Sequence, residues 1–223
     1  MNQFISQYAE LLAKGTWDTI VMTGVATFFS CIFGLILGIL LIHTSPSGLR
    51  PNKTISLILG WIVNIGRSIP FIILLVSLIP LTRLITGTSL GVAGAVVPLV
   101  VAATPFVARL VEQSLSEVDF NLIEAALSFG ASIPQITWKV YLKESVPSLI
   151  RGVSIVFVTL FGYSAIAGTI GAGGLGDIAI RYGYQRYQDS VMVAAVFICI
   201  VLVQIVQTAG DRLAIRFDKK RIH

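Results

Sequence analysis

The chain has 223 residues, 55% of them hydrophobic and 12% charged, and a formal net charge of +5. A soluble domain usually carries about twice that share of charge, and no stretch between the apolar runs has room for one, so a single membrane domain over residues 1–223 is expected. The basic residues gather at the ends of apolar runs and in the tail, which assigns the positive balance to the membrane and not to nucleic acid.

Residues 1–18 are mixed polar, and the uncharged run 19–42 follows. That run is too long for the apolar core of a cleavable signal peptide. It is long enough to cross a bilayer as a helix, which takes about 20 residues. Inside it, Gly34 and Gly38 permit close helix approach, either within the chain or between two copies. A second span is expected at 54–81, interrupted by Asn64, Arg67 and Pro70. An arginine facing lipid at a helix centre costs about 2.5–3.5 kcal/mol. Arg67 is therefore expected to face protein, in a structural ion pair, at a helix end broken by Pro70, or against a substrate. A third span covers 84–108, with Pro98 and Pro105 inside it.

A charged segment, 109–151, comes next, then a fourth span at 152–176 ending in glycines, and a fifth at 190–210 before a basic tail. Midway along the fourth span stand Tyr163, Ser164 and Ile166. Small residues around one branched side chain suit a narrow pathway closed by Ile166, and ordinary helix packing explains them equally. Gly171 to Gly176 match the dinucleotide fingerprint by letter, but they follow a membrane span and lack the strand and helix of a βαβ unit. They are read as a bend or a close-packing site at the end of that span. Cys31 and Cys199 lie in apolar runs as small core residues, and His43 and His223 show no metal-ligand spacing. The sequence has no nucleophile–base pair, metal cluster or phosphate loop, so no chemistry and no cofactor of its own are expected.

Five spans put the termini on opposite sides, and the positive-inside rule chooses between the two orientations. With the N-terminus outside, the inner segments hold Arg50, Lys53, Arg109, Lys139, Lys143, Arg151, Arg212, Arg216, Lys219, Lys220 and Arg221. The outer segments hold only Lys14, Arg83, Arg181 and Arg186. The N-terminus is therefore expected outside, and the C-terminus and the 109–151 loop in the cytoplasm.

In that loop Asn121 is expected to cap a short helix, with Glu124 three residues on completing a capping box. Leu122, Ile123, Ala126 and Leu127 fall on one face at helical spacing. Gly130 fits the left-handed residue after a helix end, and Pro134 the first turn of the next helix. Such a helix suits insertion into a groove on another protein, or packs beneath the spans.

The string Glu124-Ala125-Ala126, followed by Gly130-Ala131, resembles the signature loop of ABC importer permeases, and it stands before the last two spans as it does in those permeases. Other stretches are similar to the methionine-type members. These are residues 64–76, 97–99, 104–109, 162–165, 171–176, 182–184 and 210–212, so the likeness runs from about residue 15 to 213. The resemblance implies the type I ABC importer permease architecture, an all-α integral membrane protein of five transmembrane helices with a short cytoplasmic coupling helix. It implies that Asn121, Leu122, Ile123, Glu124, Ala125, Ala126, Leu127, Gly130 and Ala131 meet an ATPase. It also implies a bacterial inner-membrane location and a homodimer, with two ATPase subunits below that hold ATP and Mg, and a binding protein outside. The cargo it implies is methionine, with D-methionine and related sulfur amino acids. The alternatives are another amino acid or small peptide through the same architecture, or an ion-coupled secondary transporter. Two departures from the family pattern, Ile133 ahead of Pro134 and Lys143 where a proline often follows leucine, leave the helix after the coupling motif open.

Overall fold

A computed structural model describes residues 2–218, with side chains from residue 8 onward. The described residues form helices and connecting turns, with no strand among them. Helix α1 runs Asn2–Thr44 without a break. The mixed polar start is thus helical too, and the first span begins well before residue 19. A threonine stripe keeps this helix compatible with burial. Thr19, Thr23 and Thr27 donate their hydroxyls to the carbonyls of Gly15, Thr19 and Thr23 at 2.9, 2.7 and 2.7 Å. Those side chains are nearly inaccessible, and satisfying each hydroxyl locally removes the cost of burying it.

The expected second span is in fact three helices, α2 Lys53–Ser68, α3 Phe71–Ser77 and α4 Ile79–Thr86. Asn52 caps the first, its side chain accepting from the Ile55 N–H at 3.0 Å. Pro70 has no N–H to continue the ladder and forces Ile69 extended, at φ −81° and ψ 123°. The chain turns by 100° between α2 and α3 there. Gly87, at φ 75°, ends α4 in the left-handed conformation that glycine adopts without steric penalty.

That stop moves the third span. Helix α5 is Gly91–Ser116 and not 84–108. It continues through Arg109 because Arg109 and Glu112 pair across one turn at 2.6 Å and the guanidinium also donates to Asn64 Oδ1 at 3.0 Å. After α6 Phe120–Ser128 and α7 Ile133–Ile136, a π-helical turn, Thr137–Tyr141, leads into α8 Leu142–Glu144. The fourth span is α9 Val146–Ala167 with a π-helical extension to Ala172. It starts earlier than residue 152 because Pro147 sits in its first turn, and it ends earlier than 176 because Gly171 leaves helical geometry at φ 95°. Helix α10 is Gly174–Ile178, followed by a π-helical turn to Tyr184, and α11 is Asp189–Phe217.

Cross-helix neighbours fix the directions. A Cβ on Gly34 would strike Val107, and one on Gly38 would lie 2.6 Å from Val111 Cβ, so α1 and α5 run parallel. Gly60 and Gly66 face Arg109 and Pro105, so α2 runs antiparallel to α5. Ser114 bonds Ser148 at 2.9 Å while Gly152 faces Leu110, so α9 is antiparallel to α5. Gly210 faces Ser154 and Asp218 pairs with Arg151, which makes α11 antiparallel to α9. The chain therefore makes five passes in alternating directions, the second of them broken, and the ends of its described length lie at opposite ends of the bundle. The core between passes holds Met22, Leu99, Val156 and Leu160, and it extends past Leu115 to Ile136 of α7 at the end of the bundle. Phe28, Phe33, Trp61, Ile62 and Phe197 point outward with about half or more of their surface bare, as lipid-facing side chains do.

Candidate functional site

At one end of the bundle, α6 stands below α5. Its N-cap is Asp119, whose side chain accepts from the Asn121 N–H at 2.9 Å. Asn121 is therefore inside the helix, and the expected Asn121–Glu124 capping box is replaced by an aspartate cap two residues upstream. The C-terminus closes as a full Schellman motif. The Gly130 N–H donates to Leu127 O at 2.9 Å, the Ala131 N–H to Ala126 O at 3.0 Å, and Gly130 has φ 75°. A box does form one helix later, where Gln135 accepts from the Ser132 N–H at 2.8 Å ahead of α7, with Pro134 in the first turn.

The four apolar residues expected on one face divide. Ile123 is buried at 4% exposure and joins the main core, with Ala126 and Ala131 packed beside it. Leu122 and Leu127 are exposed, as are Phe120 and, at 91%, Phe129. Ala125 and Glu124 also face outward, and the Glu124 side chain has no hydrogen bond or ion pair among the described residues. The helix is thus anchored by one isoleucine and offers apolar side chains and a carboxylate to whatever lies below. An exposed apolar surface of this kind, rimmed by polar residues, marks a contact site.

The segment after α6 is tied to the bundle. The Thr137 hydroxyl donates to Ile133 O at 2.8 Å, so the His43 imidazole Nε2–H donates to the Thr137 oxygen, also at 2.8 Å. The same ring meets Tyr141 edge-on at 5.9 Å, and burial pushes the Tyr141 phenol above its usual range. Ser145 donates to Ser114 O at 2.9 Å. His43 thus takes a structural role, tying the end of α1 to the segment after α6. The open question about the helix after the motif is answered by a short α-helix, a π-helical turn and another short helix.

Half way along the bundle lies a cavity of about 300 Å³ lined by Arg67, Phe71, Ala102, Phe106, Thr159 and Tyr163, among others. Arg67 sits in the last turn of α2, where the helix dipole favours a cation. It forms no ion pair or hydrogen bond with any described residue, so the helix-end location holds and the ion pair does not. Pro70 is the N-cap of α3, at the break. Tyr163 stacks on Phe71 with centroids 4.6 Å apart and planes 2° apart. The structure thus brings Arg67 and Tyr163 to one cavity. Ser164 instead is buried, donating to Phe161 O at 2.7 Å, and Ile166 points to the surface. The three pathway candidates do not converge on one point. Gly171, Gly173 and Gly174 all have positive φ and bend the chain back toward α1, where Thr19 Oγ1 accepts from the Leu175 N–H at 2.9 Å.

Asp119, Phe120, Phe129, Phe71 and Thr159 were not marked by the sequence reading. Asp119 carried a usable signal, an aspartate directly ahead of an apolar-periodic run. The others become visible only when separate helices are brought together.

Over residues 32–223 the chain matches the family described as the binding-protein-dependent transport system inner membrane component. The probable D-methionine transport system permease protein MetI of Vibrio cholerae is 47% identical over 98% of this chain and 97% of its own length. The Escherichia coli D-methionine transport system permease protein MetI is 49% identical over 71% and 73%. A chain of the MetNI methionine ABC transporter in inward-facing conformations superposes with a TM-score of 0.93, at 46% identity, over 95% of this chain and 98% of that one. An amino acid ABC transporter solved with histidines shares the fold alone, at a TM-score of 0.72 and 19% identity over 97% and 96% of the two chains. The multi-pass bundle, its projecting helix α6 and the match along most of the chain agree, and this chain belongs to the family of inner membrane components of binding-protein-dependent transport systems.

Proposed function

We propose that this chain is the membrane subunit through which an ATP-driven importer passes methionine, D-methionine and related sulfur amino acids included, from a binding protein to the cytoplasm. Two copies form the pathway. Two ATPase subunits, which hold ATP and Mg, seat α6 in a groove, and a binding protein docks at the opposite end. The observation that carries the mechanism is α6 itself, anchored by Ile123, closed at both ends by local hydrogen bonds, and bare over Phe120, Leu122, Leu127 and Phe129. The names of relatives at 44–49% identity support the cargo. The charge asymmetry supports the orientation with the α6 end in the cytoplasm, and of its inner basic residues Lys219, Lys220 and Arg221 lie outside the described residues.

The ion-coupled alternative calls for ionisable groups at the bilayer midplane. Among the described residues no Asp or Glu lines the mid-bundle cavity. The permease, its ATPase and its binding protein in proteoliposomes should take up methionine only with ATP on the ATPase side, and should continue after the proton gradient is collapsed. Uptake by this chain alone on an ion gradient would overturn the assignment. Competition by other amino acids or short peptides without competition by methionine would reassign the cargo.

A further inference from the structure

Among the described residues, Arg67 lines the mid-bundle cavity without a hydrogen-bond or ion-pair partner. Its level is fixed by its neighbours. Gly66 abuts Pro105, and the cavity wall includes Ala102 and Ala103, midway along α5, and Thr159, midway along the helix that runs from Val146 to Ala172. A permanently charged guanidinium at that depth, with no carboxylate beside it, is a functional group by default. The wall around it is chemically mixed. Thr159 has already given its proton to Ile155 O at 2.8 Å, so its oxygen presents only acceptor lone pairs. The stacked Phe71 and Tyr163 rings supply an apolar face. One fixed cation, one acceptor oxygen and an aromatic wall in about 300 Å³ match a zwitterion with an apolar side chain.

Resting on the importer reading above, we propose that Arg67 forms a carboxylate-binding station for the amino acid in transit, inside the membrane and separate from the binding protein. The guanidinium pairs with the carboxylate while the apolar side chain lies along Phe71 and Tyr163. The station exists because α2 stops at Ser68. The break at Pro70 sets Ile69 and Phe71 into the wall of the same cavity as Arg67.

The test uses the assembled permease–ATPase complex, carrying Cys31→Ala, Cys199→Ala and Ala102→Cys, with a thiol reagent that reports the accessibility of position 102 on the cavity wall. Methionine should slow labelling, and methioninol, in which a hydroxymethyl group replaces the carboxylate, should protect about tenfold or more weakly. Arg67→Gln should abolish the difference between the two compounds, and Arg67→Lys should keep part of it. Equal protection by both compounds with Arg67 intact would overturn the proposal, as would full protection in Arg67→Gln. If the complex imports methionine while position 102 is never protected, the station is absent and the importer reading stands. If methionine is not imported at all, the importer reading itself fails.

Discussion

Gly38 shows how a single hydrogen atom sets helix spacing. Its missing side chain lets α1 lie directly on Val111, where a Cβ would come within 2.6 Å of the valine Cβ. The branched neighbour stands too near its own backbone to swing away. Gly38→Val should therefore destabilise the bundle by about 1–3 kcal/mol, the usual cost of overpacking. Gly24, on the same helix, has nothing within 4 Å, and Gly24→Ala should be neutral or gain up to about 1 kcal/mol of helix propensity. Thermal unfolding of the purified complex in detergent distinguishes the two. The sequence marked Gly34 and Gly38 as a packing pair but left open whether they join two copies or two helices of one chain. Spacing along one helix carries no information about what lies opposite, so only the position of Val107 and Val111 could decide.

The elements were legible where local chemistry alone decides them. Gly130 was expected in the left-handed region, and it is there with φ 75° and open space around it. The penalty for replacing it is thus in the backbone and not in a clash. Gly130→Asn should keep ATP-driven uptake near the native rate, because asparagine tolerates that conformation, whereas Gly130→Val should lose most of it at normal membrane levels. Asp119→Ala should cost α6 about 0.5–2 kcal/mol, the worth of an N-cap. Glu124→Ala should leave the helix intact, since Glu124 caps nothing, and any loss it causes should appear as weaker recovery of the ATPase on purification. An Asp119→Ala variant as stable as the native chain would remove the aspartate cap from the account. Span boundaries were less legible, because apolar content continues through Gly87 and across Arg109. There, one left-handed residue stops a helix and one ion pair prolongs another.

For the molecule as a whole, alternation of direction was legible from five apolar runs, and the cavity was not. Arg67 and Tyr163 are separated by a whole further pass of the chain, α5, and the 100° turn at Pro70 that brings them together is a tertiary result of a local break. The alternation places Asp218 at the α6 end and Gly15, which abuts Gly174 and Ile178, at the other. A reporter fused after the C-terminus should therefore read cytoplasmic, and one ahead of the N-terminus periplasmic. Finding both on the same side would mean that the broken pass dips in and returns, and the cytoplasmic position proposed for α6 would fall with it.

The uninterrupted α1 has a mechanical consequence. Its 43 residues make a rod about 64 Å long at 1.5 Å per residue, roughly twice the hydrocarbon thickness. It is tied at two points, by Thr19, 17 residues in from its start, to the turn at Leu175 and by His43 near its C-terminal end to Thr137 in the segment behind α6. A stiff beam held at two points behaves as a lever, so a tilt imposed at the His43 end would displace the far hinge in proportion to the ratio of the arms on either side of its pivot. With the close contact of Gly34 and Gly38 on α5 as the pivot, nearer the His43 end, the distant arm would be the longer and small strokes would be amplified. Gly24 sits in that longer arm. Gly24→Pro would remove the N–H that bonds Ile20 and put a joint in the beam at a cost of about 3 kcal/mol. ATP hydrolysis should then persist while uptake per ATP falls, whereas Gly24→Ala, which keeps the beam whole, should leave that ratio unchanged.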